Sequence, residues 1–292
     1  MKISAAHVGA RSLRHVTALS PRQAMNYAAA LGDGNPWYFQ DDRPEGVIAP
    51  PMLAAALTWP LSASFEEFWS GSGIPAEVQT RQVHYNESLV WLRPLQADEQ
   101  LSIQGEIQAI QPHASGSLIA IRYEATDRAG RAVFTEYITG LLRGVTIDGD
   151  GGGTLPEPVQ NPGLTAGLWQ QALRIDPLAA HLYDGCTDIV FPIHTSFAFA
   201  RNAGLPGPIY QGTALLGLAV KEIVNREAAG DPRQLAAVQA GFRGMVFPGT
   251  TVLLRVLGTF LENSVKTVYF EVETPEGAMA IRHGRAVLHA PS

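Results

Sequence analysis

The run Tyr183-Asp184-Gly185-Cys186-Thr187-Asp188-Ile189-Val190-Phe191-Pro192-Ile193-His194 places an acid, Asp188, and a histidine, His194, close together in an irregular stretch. Further on, Gly207-Pro208-Ile209-Tyr210-Gln211-Gly212 delivers a glycine just as a long apolar run begins, 18 positions after the histidine. A carboxylate, an imidazole and a backbone N–H at a helix start are together equipped to handle water beside a carbonyl. Cys186 is the only cysteine and lies in the same run. A thiol nucleophile needs a base and an oxyanion site built around it, so Cys186 is read as a small buried residue.

Composition removes several classes of function. Of 292 residues 46% are hydrophobic and 16% charged, mean hydropathy is +0.03 and the net charge is -6, which describes a folded globular chain without the basic footprint of a nucleic-acid binder. A lone cysteine rules out an intramolecular disulfide and a cysteine-based metal site and fits a reducing, cytoplasmic setting. No apolar run reaches the length of a membrane span. The basic, acid-free first 19 residues read as a lead-in strand. His84, His113, His181, His283 and His289 stand at isolated positions without metal-ligand spacing and read as structural or surface groups. Arg243, Arg282 and Arg285 are of the right type to meet phosphates, but along strands they read as a solvated face. Gly-x-Ser-x-Gly, a phosphate-cradling glycine loop and His-Glu-x-x-His are all missing from the sequence.

What must position the candidates is written twice. Ser20-Pro21 opens a helix that Gly32 stops, and Asp176-Pro177 opens a second that Gly185 stops. The offset is 156 from Ser20 to Asp176, from Pro36 to Pro192 and from Tyr38 to His194. This is a duplication. Each half continues into an apolar helix, near 52–59 and 213–226, and then into four alternating segments. These lie near 82–90, 99–110, 117–126 and 131–143, and again near 235–243, 250–260, 265–273 and 279–289. The helix from Thr213 is apolar nearly all round, which requires burial on most sides, and a long antiparallel sheet has enough apolar face to wrap it. Asp148-Gly149-Asp150-Gly151-Gly152-Gly153 with Pro156, Pro158 and Pro162 reads as a flexible, exposed linker. The resulting division is a first repeat over 1–147, a linker over 148–165 and a second repeat over 166–292.

Pro192-Ile193-His194 followed at this spacing by Pro208-Ile209-Tyr210-Gln211-Gly212 resembles the MaoC-type family of (R)-specific enoyl-CoA hydratases and related dehydratases, in its two-repeat form. The resemblance implies an α+β double hot-dog, two antiparallel sheets each wrapping a central helix. It further implies a hydro-lyase acting on an acyl-CoA or acyl-carrier thioester without a metal or redox cofactor. Asp188 would be the base, His194 its acid or base partner, and Gly212 N–H the oxyanion donor.

Two departures qualify the transfer. Asp188 lies one position further from the histidine than the family's aspartate, and the family's asparagine is missing from the turn. Either a one-residue bulge returns Asp188 to the same place or the carboxylate has left the site; the bulge is the reading adopted. Gln211 also replaces a histidine. The first repeat is complementary, since it keeps Gly32-Asp33-Gly34-Asn35-Pro36 but has Tyr38 for the histidine and Pro51 for the glycine. Tyrosine titrates near ~10 and proline carries no N–H, so that half cannot do the chemistry and is left to cover the sheet and shape an acyl pocket. Asp33 and Asn35 then read as a structural turn. A thioesterase on the same scaffold and a non-catalytic acyl-thioester-binding protein remain the alternatives. Two fused units allow a monomer and do not exclude a homodimer.

Overall fold

Repetition in the sequence becomes an axis in space. The computed structural model describes residues 1–164 and 167–289. The last linker position, 165, the first position assigned to the second repeat, 166, and positions 290–292 lie outside the described residues.

The first half runs β1 (Lys2–Ser4), β2 (His15–Leu19), α1 (Pro21–Ala30), α2 (Leu53–Ala63), α3 (Phe65–Phe68), β3 (Gln82–Trp91), β4 (Glu99–His113), β5 (Gly116–Asp127), β6 (Ala132–Arg143), β7 (Thr146–Asp148) and β8 (Gly152–Gly153). The second runs β9 (Trp169–Arg174), α4 (Ala179–Thr187), α5 (Phe197–Asn202), α6 (Gly212–Glu227), β10 (Leu235–Phe242), β11 (Thr251–Glu262), β12 (Val265–Glu273) and β13 (Met279–His289). The architecture is the α+β double hot-dog. Its strands follow the order β2-β4-β5-β6-β3 and then β10-β13-β12-β11-β9, so the second half mirrors the first. β3 and β10 meet antiparallel, from Val90 opposite Ala237 to Asn86 opposite Gly241. This pairing satisfies two edges that would otherwise present rows of open N–H and C=O groups.

Local chemistry explains the boundaries that matter for the site. Ser20 and Gln23 form a reciprocal capping box around Pro21, and Gly32 ends α1 with φ 57, its N–H and that of Asp33 turning back to Ala29 O and Ala28 O. Helix α6 buries Leu215, Leu216, Ala219, Val220, Ile223 and Val224, as its all-round apolarity requires. Helices α1 and α4 cross on the axis, where the hydroxyls of Tyr27 and Tyr183, 156 residues apart and both fully buried, lie 3.0 Å from each other.

Two expectations are corrected. Gly185 does not stop its helix: α4 continues to Thr187, since one glycine costs a helix only ~1 kcal/mol, and the stop is Asp188 in the left-handed region at φ 57, ψ 17. The linker is not wholly free either. β7 runs parallel to β1, and β8 pairs with β4, with Gln111 Nε2 donating to Gly152 O and Gly153 O. The glycines there serve close approach: Gly153 has φ 74, and a Cβ on it would collide with the Gln108 carbonyl. Gly153→Ala is therefore expected to cost about 1–3 kcal/mol, read as a lower urea midpoint at unchanged slope.

Candidate functional site

His194 ends a 3-10 turn, Pro192–His194, whose proline fixes the first dihedral. The turn is stapled to the segment entering α6. Ile209 N–H donates to Ile193 O (3.3 Å), and His194 Nδ1 lies 2.9 Å from Ile209 O. Because a carbonyl only accepts, Nδ1 carries the hydrogen, and in the neutral ring Nε2 is left with its lone pair. Burial holds the His194 pKa below its ordinary value, with the Ile209 carbonyl opposing. The imidazole is thus neutral at pH 7 and oriented as a proton acceptor.

Three residues beyond Ile209, Gly212 is the first residue of α6, and Gln211 ahead of it provides no side-chain cap. Gln211 is turned instead into the protein, 1% exposed, with Nε2 donating to Ala180 O at 3.0 Å. Among the described residues no carbonyl or side chain accepts from Gly212 N–H. An uncapped first-turn amide at the positive end of a largely buried helix is a ready donor to a developing oxyanion. Thr213 is held by Tyr183, whose hydroxyl donates to Thr213 Oγ1 at 3.2 Å. Behind the glycine stands Phe242, 3.2 Å from where a Cβ would be.

The structure brings His194 and the start of α6 together but does not bond Asp188 to them. The extra residue between acid and histidine is absorbed at Asp188 itself, which takes the left-handed cap of α4, a conformation that aspartate tolerates better than most residues. That cap leaves Asp188 exposed, and among the described residues no carboxylate oxygen lies within 4.0 Å of a His194 ring nitrogen. The direct acid–histidine contact is therefore absent. Asp184, which the motif spacing does not single out, sits one helical turn earlier; burial raises its pKa, with His181 and the Phe191 amide opposing and Asp188 adding. Its Oδ1 is buried and, among the described residues, unpartnered. The i, i+4 relation to Asp188 was the available signal. Cys186 is half-buried on α4.

Known proteins are similar to both repeats. A FAS1-like dehydratase domain region matches residues 6–136, and a MaoC like domain matches residues 166–277, one on each repeat. The chain belongs to the MaoC-like dehydratase family. It is similar to the enoyl-CoA hydratase ChsH3 of Mycobacterium tuberculosis, 28% identical over 229 residues, covering 75% of this chain and 74% of that protein. The peroxisomal enoyl-CoA hydratase 2 of Arabidopsis thaliana is 38% identical over 80 residues, 27% of this chain and 26% of its own length. Among solved structures, a MaoC-like dehydratase from Phytophthora capsici superposes with TM-score 0.83 at 20% identity, covering 97% of each chain. A conserved hypothetical protein of Mycobacterium tuberculosis described as a double hotdog fold superposes at 0.64 and 15% identity, covering 97% of this chain and 96% of that one.

In this MaoC-like chain the first repeat holds a different set of groups where the second has its site. Asn35 folds its turn by accepting from Trp37 N–H and donates from Nδ2 to Gly230 O at 2.8 Å. Lys221 on α6 donates to Leu31 O (3.3 Å) and Gly32 O (2.9 Å). Deeper, Glu87 and Glu136 stand on adjacent strands and face the core at 1% and 0% exposure, with His84 Nε2 3.0 Å from Glu87 Oε2. Burial pushes Glu87 up to about 8 from 4.5, and Glu136 rises through burial and then the neighbouring Glu87. His84, by contrast, falls through burial to about 4 from 6.5.

A pH dependence follows with a definite sign. Carboxyls raised on folding stabilise below their unfolded pKa and lose that contribution as pH rises through the folded value. The lowered His84 acts oppositely, and only below its unfolded value of 6.5. Between pH 6.5 and 8 the carboxyls act alone, so stability should fall as pH rises. Urea midpoints across that window test this, and Glu136→Gln should flatten the slope.

Proposed function

We propose that the chain is a hydro-lyase that adds water to, or removes it from, an enoyl or 3-hydroxyacyl thioester, with His194 as proton shuttle and Gly212 N–H as oxyanion donor. The observation that supports it best is the His194 Nδ1 to Ile209 O bond. It leaves the basic nitrogen free on a turn fastened to the segment that opens α6. In hydration, Nε2 takes a proton from water as the hydroxide oxygen bonds to C3. The C2=C3 electron pair moves toward the thioester carbonyl, whose oxygen is held as an enolate by Gly212 N–H. The imidazolium then returns the proton to C2, and the ring regains its starting state. The substrate class is that of the enoyl-CoA hydratases to which the chain is similar.

One imidazole carries both proton steps in this scheme, and Asp188 stays outside the shuttle. His194→Ala should lower kcat by about a thousandfold, followed by loss of the conjugated absorbance of a trans-2-enoyl-CoA. Asp188→Asn should keep most of the rate, and a loss as large as that of His194→Ala would instead require a water-bridged pair. Release of free thiol with the double bond intact would assign a thioesterase, and tight binding without turnover an acyl-thioester-binding protein.

Gly212→Pro copies what the first repeat has at Pro51. Proline is accepted at the first position of a helix, and Gln211 already has the extended φ -62, ψ 133 that a residue before proline needs. The variant should fold yet lose about a hundredfold in kcat with the N–H.

A further inference from the structure

Arg243 follows Phe242, which packs on Gly212, and precedes Val246, whose carbonyl accepts from Tyr210 N–H at 2.7 Å. The arginine is thereby bracketed by two contacts with the entry to α6. Its guanidinium lies 3.7 Å over the Tyr85 ring and donates to Tyr85 O and Phe242 O through Nη1 and to Asn86 Oδ1 through Nη2. All these acceptors are neutral. The fork is fixed in place with its charge uncompensated.

A second arginine, Arg282, lies on the neighbouring strand opposite Gly241 and is exposed. Burial lowers the Arg243 pKa and the Arg282 charge adds to that, with Tyr85 opposing. Among the described residues no carboxylate lies within 4.0 Å of either, whereas Arg233 and Arg255 each hold one and Arg93 two. Two like charges side by side, one of them immobilised on neutral groups, are stabilised by an anion that accepts from both.

We propose that Arg243 and Arg282 bind a phosphate of the thiol-bearing arm of the substrate, with Tyr85 and Asn86 of the first repeat holding the Arg243 fork. This rests on the thioester reading above and names the part of the thioester that the arginines recognise. Phosphate of this kind comes either from coenzyme A or from the phosphopantetheine arm of a carrier protein. The degenerate half then takes part in substrate recognition without any of the chemistry.

The test compares wild type with Arg282→Ala, an exposed position, on crotonyl-CoA, crotonyl-phosphopantetheine and phosphate-free crotonyl-pantetheine. The ratio of kcat/KM for crotonyl-CoA to that for crotonyl-pantetheine should fall about tenfold. An equal fall with crotonyl-phosphopantetheine supports the phosphate of the thiol-bearing arm, and a fall with crotonyl-CoA alone overturns that assignment in favour of the nucleotide end. An unchanged ratio for both phosphorylated substrates overturns the proposal. Calorimetry with free coenzyme A and with phosphopantetheine provides a readout independent of turnover. Binding that weakens about tenfold in the variant supports the site even if wild type hydrates nothing, in which case the hydro-lyase reading alone fails. Binding of neither ligand by wild type, or equal binding by both proteins, overturns the site while leaving that reading to the activity data.

Discussion

Pairing of β3 with β10 is the constraint from which the rest of the molecule follows. It turns two sheets into one surface and sets α1 against α4 on the axis, with Tyr27 hydrogen-bonded to Tyr183. It also carries the first repeat up to the second repeat's site. Phe242, at the end of β10, packs on Gly212 on one side and meets His84 of β3 edge-on at 4.7 Å between ring centres on the other. Gly212, the first residue of α6, therefore rests on residues from both halves.

The same junction explains how the first repeat holds the second. Its old turn has become a clamp on α6: Leu31 packs where Gly217 leaves room, Lys221 bonds the carbonyls at the end of α1, and Asn35 reaches Gly230 beyond the helix. A helix is stiff over this length, so a grip on its later turns restrains its first. From Tyr183 to Thr213 a second hold acts at the start of α6. Helix α6 is thus fastened to its neighbours near both ends.

Much of this was legible in the chain because alternation and helical periodicity report directly on burial. The eight long strands and both central helices lie where the pattern places them, within a few residues at each end, and the all-round apolarity of α6 was a direct statement of its enclosure. The relation of Pro192-Ile193-His194 to Gly212 could also be read. Asp188 could not, because spacing counts residues and not the dihedral each one takes; a single left-handed residue sends the carboxylate to the surface. The nearness of Glu87 to Glu136 in the core escaped for a different reason. Each alone resembles an outward strand residue, and only the register of β3 on β6 reveals that both face the core. Gly151 and Gly153 likewise gave a flexibility signal whose cause is close contact with β4.

Tyr27 and Tyr183 remain identical across the axis, while Tyr38 is the counterpart of His194 and Pro51 that of Gly212. When one gene encodes both sides of a symmetric dimer, every substitution appears twice, and no side can lose its histidine while the other keeps it. Joining the copies in one chain lifts that restriction. Residues on the axis stay under a common steric demand, whereas those away from it are free to diverge, so covalent fusion is what permits the two halves to hold different groups at equivalent positions.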